Sequence, residues 1–255
     1  MMTQRLDGTA VLITGASSGI GEATAHAFAQ AGANVAIAAR RGDRLEALAG
    51  KLREGGAKAL VLEADITDST QAKEIVAKTV AEFGRLDTLV NNAGLMLLGP
   101  IVGSDSGEWD RMMNLNVTAL LNCTHAALPH LLAAAESGPR NVADIVNVSS
   151  VAGRVARNGS GVYNATKWAV NAFSESLRQE ITRKHVRVAL IEPGAVSTEL
   201  TSHNRPEIQQ FIKARFADME RLQADEIADA IAYIVTRARH VAINEILIRP
   251  TEQEA

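Results

Sequence analysis

Seven short apolar runs, separated at regular intervals by longer amphipathic stretches, constrain this chain more than any other feature. They are Ala10–Thr14, Asn34–Ala38, Ala57–Leu62, Asp87–Asn91, Ala143–Val148, Arg187–Ile191 and Glu245–Ile248. Most are apolar without alternation, so each expected strand needs cover on both faces, as parallel strands under helices do. The segments GEATAHAFAQAG, GDRLEALAGKLREG, DSTQAKEIVAKTVAEFG and VYNATKWAVNAFSESLRQEI read as those helices. Gly55-Gly56 offers a stop for the second, and Asp68 and Ser69 offer N-cap chemistry for the third. Right-handed crossovers between such strands give a doubly wound α/β fold, a parallel sheet with helices on both faces.

No linker, repeat or low-complexity tract divides the chain, so residues 1–255 are expected to form a single Rossmann-like domain. Hydrophobic residues are 47% and aromatics only 4%, so small aliphatic side chains must fill the core. Ser137–Asn141 is a polar loop before the fifth strand. Val196–Leu222, after the sixth, lacks a clear core pattern. It is a candidate substrate lid, because loops at strand carboxyl ends lie over the ligand crevice.

A net charge of −3 without a basic block argues against nucleic acid as a partner. The one cysteine, Cys123, excludes an internal disulfide and fits a reducing compartment. The start, MMTQRLDG, lacks the apolar core of a signal peptide. Ala119–Ala135 is the most apolar stretch. It is broken by Asn122, His125, Pro129 and His130 and is short of the ~20 residues a membrane span needs. It reads as a buried or interface helix, with no membrane association, and the expected location is cytoplasmic. The six histidines are scattered without metal-ligand spacing, so no metal is expected. SSVAG does not meet the GxSxG nucleophile pattern.

The first run leads into TGASSGIG, Thr14 to Gly21, and then a helix. Gly15, Gly19 and Gly21 permit a tight turn and close backbone approach, and the helix start offers unpaired N–H groups to phosphates. The spacing is GxxxGxG rather than GxGxxG, and a plain strand–turn–helix would also accept it. At the tip of the second run stand Arg40 and Arg41, with no acid at Ala38 or Ala39 to hold a ribose. Guanidinium groups there suit a 2′-phosphate, hence NADP, with Ser17 adding a hydroxyl; a solvated arginine pair at a strand exit is the plainer alternative. Asp65 suits an adenine amino group, or equally a turn. NNAG, Asn91 to Gly94, suits a close turn beside a cofactor or any other close turn.

Tyr163 and Lys167 are four apart on an expected helix and share one face. A phenol has an ordinary pKa near ~10. A neighbouring ammonium favours the phenolate, and the expectation is a pKa lowered toward neutral, where acid–base catalysis is efficient. Ser149-Ser150, at the end of the fifth run, places a hydroxyl where it can hydrogen-bond a substrate oxygen.

Taken in order, TGASSGIG, NNAG, Asn116 in NLNV, NVSS, YNATK and EPGAVST closely resemble the short-chain dehydrogenase/reductase family, across essentially the whole chain. The resemblance implies an NADP(H)-dependent oxidoreductase acting on an aldehyde, ketone or alcohol. Asn116, Ser150, Tyr163 and Lys167 would be catalytic, with Ser150 selected over Ser149 and Asn116 completing a proton relay through a water. The cofactor set would be Gly15, Ser17, Ser18, Gly19, Ile20, Gly21, Arg40, Arg41, Asp65, Ile66, Asn92, Ala93, Gly94, Tyr163, Lys167, Pro193, Gly194, Val196 and Thr198. Besides Ser150 and Tyr163, the expected substrate wall is apolar: Met96, Leu98, Val151, Ala152, Arg154, Asn158 and Leu200, with few polar groups. Members are commonly homotetramers, sometimes dimers, with helices around Gly107–Ala135 and Tyr163–Lys184 at the interface. GLMLLGP, ALPHLL, AGRVARN, NAFSESLRQE and EILIRPT look like the family's clavulanate-aldehyde reductases and, more loosely, its NADP-dependent hydroxy-acid and carbonyl reductases. A non-catalytic NADP(H) sensor on the same fold is the competing class.

Overall fold

The computed structural model describes residues 5–254, so the first four residues of MMTQRLDG lie outside the described residues. The strands are β1 (Ala10–Thr14), β2 (Asn34–Ala39), β3 (Ala59–Glu63), β4 (Thr88–Asn91), β5 (Ala143–Val148), β6 (Val186–Pro193) and β7 (Glu245–Ile248). All pair in parallel, in the order β3-β2-β1-β4-β5-β6-β7. The chain leaves β1 toward one edge and returns to β4 on its other side. This reversal opens a crevice at the carboxyl ends of β1 and β4.

The described residues form eight α-helices, most of them packed on the sheet: α1 (Gly19–Gln30), α2 (Gly42–Glu54), α3 (Ser69–Phe83), α4 (Ser106–Met113), α5 (Leu120–Ser137), α6 (Gly161–Ile181), α7 (Pro206–Arg215) and α8 (Ala224–Val235). Strand periodicity sorts side chains between two cores. Val11 and Ile13 of β1 face Phe28, Leu45, Leu48 and Ile231 of α1, α2 and α8. Leu12 between them faces the opposite core with Ile75, Cys123, Leu131 and Leu177 of α3, α5 and α6. The Asp68 carboxylate caps α3 by accepting from Thr70 N at 2.8 Å.

Ser106–Ser137 is continuous helix, long and apolar enough by length and composition to cross a membrane. Here Leu120, Cys123, Ala127 and Leu131 are buried, and α5 packs on α3, β4 and β5. Within the run, Asn114–Ala119 between α4 and α5 is π-helical. The segment after β6 is more ordered than its sequence pattern suggests. It forms a 3-10 turn (Glu199–His203) and α7, and a bridge from Val196 to Leu222 closes its base.

Candidate active site

A cavity of about 760 Å³ runs along the carboxyl ends of the strands. The glycine loop after β1 forms part of its wall. Gly15 takes a positive φ of 67°, and a Cβ there would fall 2.7 Å from the Ala93 Cα. Side-chain-bearing residues are therefore excluded where β1 and β4 diverge. Asn92 locks the same junction by donating to the carbonyls of Thr14 (2.9 Å) and Gly15 (3.1 Å). Asn91 points into the core instead, donating to Thr124 Oγ1 and Asn147 Oδ1.

Of the residues expected to touch a cofactor, Gly15, Ser17, Ser18, Gly19, Ile20, Arg40, Arg41, Asp65, Ile66, Asn92, Ala93 and Gly94 line this cavity. So do Tyr163, Lys167, Pro193, Gly194, Val196 and Thr198. Gly21 does not. It lies under the loop, where a Cβ would meet Gly15 O at 2.5 Å, so its smallness serves loop-to-helix packing. At the tip of β2, Arg41 donates to Ser17 Oγ (2.9 and 3.0 Å) and Ser18 Oγ (2.8 Å). Its remaining nitrogen reaches Glu199 at 2.8 Å, and Arg44 reaches the same carboxylate at 2.7 Å. Arg44 and then Arg41 hold Glu199 well below the ordinary carboxylate range, at about 2. Glu199 thus ties the segment after β6 to the β2 tip, a contact the sequence analysis missed. Arg40 is exposed and has no ion pair among the described residues. Asp65 closes a turn, its Oδ1 accepting from Thr67 N and Oγ1.

Tyr163 and Lys167 are buried on the first turns of α6. The Lys167 ammonium lies 5.9 Å from the centre of the Tyr163 ring and donates to Val148 O at 2.8 Å. Ser150 also lines the cavity; its Oγ donates to Pro193 O (3.4 Å) and accepts from Ala152 N (3.1 Å). Ser149 lines it as well, but its Oγ is committed to Asn171 Oδ1 at 2.5 Å. The expected lowering of the phenol is not what the protein alone produces. Burial pushes Tyr163 up to about 12, with the Ser150 hydroxyl pulling the other way. Burial also pushes Lys167 down to about 8. Both charged forms lose water here, and at that separation desolvation outweighs their attraction.

Asn116 does not line the cavity. Its side chain is buried, accepting from Leu95 N (2.7 Å) and donating to Leu95 O (2.8 Å) and Thr166 Oγ1 (3.1 Å). It braces the loop after β4 against α6. A Cβ on Gly94 would lie 3.6 Å from Asn116 Oδ1 and 3.9 Å from Lys167 Nζ, so the three residues adjoin.

Met96, Leu98, Val151, Ala152, Asn158 and Leu200 line the cavity as expected of a substrate wall. Arg154 does not. It turns outward and forks onto the buried Glu192 at 2.8 and 2.9 Å, with a further ion pair to Glu245. A buried carboxylate demands such a partner, and that requirement decides the rotamer. The wall is also less apolar than expected. Arg157, Arg215 and Arg221, none of them anticipated, line it together with Phe216.

The model of the short chain dehydrogenase family matches residues 9–209. The chain belongs to the short-chain dehydrogenase/reductase family. An uncharacterised oxidoreductase of Staphylococcus saprophyticus is 38% identical over 246 residues, 95% of this chain and 96% of that one. Among solved structures, a serine dehydrogenase complexed with NADP+ is 32% identical, with a TM-score of 0.88 over 97% of both chains. A metagenomic short-chain oxidoreductase in complex with NADP is 31% identical, with a TM-score of 0.80 over 96% of this chain and 99% of its own.

Proposed function

We propose that this protein is a cytoplasmic NADPH-dependent reductase of aldehydes or ketones, reversible as an alcohol dehydrogenase, with Tyr163 as the general acid and base. One observation carries the reading. Ser150, Tyr163 and Lys167 line the same cavity as a glycine loop and an arginine pair at the β2 tip. The residues fit NADP. The α1 start has no side-chain cap on its first amides, leaving them for phosphate oxygens. Arg40 has no ion pair among the described residues, and Arg41 is already aligned on Ser17 and Ser18 for a 2′-phosphate. Two solved relatives carrying NADP support the same assignment.

Bound NADPH supplies the hydride. The protein's part concerns the substrate oxygen. Ser150 donates a hydrogen bond to it, and Tyr163 delivers the proton as negative charge develops there. Lys167 stabilises the resulting phenolate and holds the nicotinamide ribose. The helix backbone at Asn116, in the π-helical stretch beside Lys167, holds the water that completes the proton relay. Val196–Leu222 closes over the substrate. The segments resembling clavulanate-aldehyde reductases favour that aldehyde or a related one; a broad hydroxy-acid or carbonyl reductase is the second reading. The exposed Met113 and Trp168, on α4 and α6, fit a helix-mediated homotetramer or dimer.

The β2 tip tests the cofactor assignment. Wild-type kcat/KM is expected to favour NADPH over NADH. Arg40→Asp and Arg41→Ala should each erode that preference by about tenfold or more, through KM for NADPH. Equal use of both cofactors by the wild type would refute the phosphate clamp.

A further inference from the structure

We infer that the substrate carries an anionic oxyacid group, a carboxylate or a phosphate, gripped by Arg157, Arg215 and Arg221. This rests on the reductase reading and adds the class of molecule reduced. Arg157 stands in the loop between Ser150 and α6. Its backbone N–H donates to Asn164, next to Tyr163, at 3.3 Å, so the loop is fixed beside the phenol. Arg215 ends α7, and Arg221 precedes the Leu222 bridge to Val196. Both guanidinium groups lie against the Phe216 ring, at 5.7 and 5.6 Å from its centre, which gathers them on one side of the cavity.

None of the three has an ion-pair partner among the described residues, whereas Arg41, Arg85, Arg154 and Arg187 all do. The Arg157 Nη2 atom is buried without a hydrogen-bond partner among the described residues. Burial, then the charges of Arg215 and Arg249, push the Arg157 pKa down. Among the described residues, the only carboxylates lining the cavity are Asp65 and Glu199. Glu199 is occupied by Arg41 and Arg44, and Asp65 follows β3, with three strands between it and β5. A buried donor without a partner and clustered cations without a counterion are costly unless an anion completes them. Guanidinium forks match carboxylate and phosphate oxygens in pairs. Two of the forks sit on the segment after β6 and one on the frame, so a bound anion would also draw that segment down over the carbonyl.

The test uses the full-length protein with NADP+ and three alcohols: β-hydroxybutyrate, its methyl ester and β-hydroxypropyl phosphate. The wild type should favour one of the two anions over the ester in kcat/KM by about tenfold or more, and the preferred anion names the source. Arg157→Gln and Arg215→Gln should each collapse that ratio, chiefly through KM for the anion, without a matching rise in KM for NADP+. Equal use of anion and ester by the wild type overturns the inference. So does a proportionate rise in KM for NADP+, because the arginines would then serve cofactor phosphates. Thermal melts of the NADP+ complex give a readout independent of turnover. Malonate or inorganic phosphate should raise the wild-type melting temperature and not that of Arg157→Gln; no shift in the wild type overturns the inference. A shift without turnover of any alcohol supports the anion site and counts against the reductase reading.

Discussion

Tyr163→Phe is expected to lower kcat for aldehyde reduction by about 10²–10⁴-fold, the range for loss of a positioned general acid. The fold should survive. The Tyr163 ring packs with Leu95, Leu97 and Met112, and phenylalanine keeps that ring. Only the hydroxyl facing Ser150 is removed. Direction matters as well. Burial holds the phenol protonated, with a pKa near about 12, so the free protein is poised to give a proton rather than take one. Alcohol oxidation needs the phenolate and should accelerate as pH rises. Aldehyde reduction needs the phenol and should not. Steady-state rates in both directions across the alkaline range check this, and a Tyr163→Phe enzyme with wild-type kcat would refute the assignment.

Asp144→Ala should destabilise the protein by about 3–5 kcal/mol, the usual cost of stranding a buried charge partner. For a chain of this size that is roughly a 10 °C fall in melting midpoint. Asp144 on β5 sits opposite Arg187 on β6 in the strand register. Its carboxylate accepts from Arg187 at 2.7 Å and from Arg140 at 3.1 Å, and all three side chains are buried. Arg187 in turn donates to the carbonyls of Val235, Arg237, Ala238 and Val241, satisfying the end of α8. Removing Asp144 leaves two guanidinium groups inside the protein without a counterion. A melting temperature within a degree or two of wild type would show that the pair is solvated rather than buried.

The strands were legible because apolar runs buried on both faces carry a strong local signal. All seven expected strands form, with ends displaced by one or two residues as at Ala59 and Val186. The extension of β6 to Pro193 was not legible, because it buries Glu192, whose neutralisation depends on Arg154 from another part of the chain. The same long-range pairing removed Arg154 from the expected substrate wall. Arg157, Arg215 and Arg221 were missed for a related reason. No local spacing announces that a loop before α6 and the end of α7 face one cavity. AGRVARN does offer two arginines three apart, a hint that one of them serves the site. The Ser150, Tyr163 and Lys167 positions could be read in order along the chain, whereas their proton affinities depend on burial, a tertiary property. Within Val196–Leu222 the helix α7 was obscured by its short, partly exposed apolar face, of which only Ile212 is fully buried.

The most direct test of the account is stoichiometric NADPH oxidation by the purified protein with a panel of aldehydes that includes carboxylated ones and clavulanate aldehyde. The prediction is multiple turnovers, with one alcohol formed for each NADPH consumed. Tight binding of NADPH with no turnover of any carbonyl or alcohol would contradict it, and would point instead to a nucleotide sensor built on the same fold.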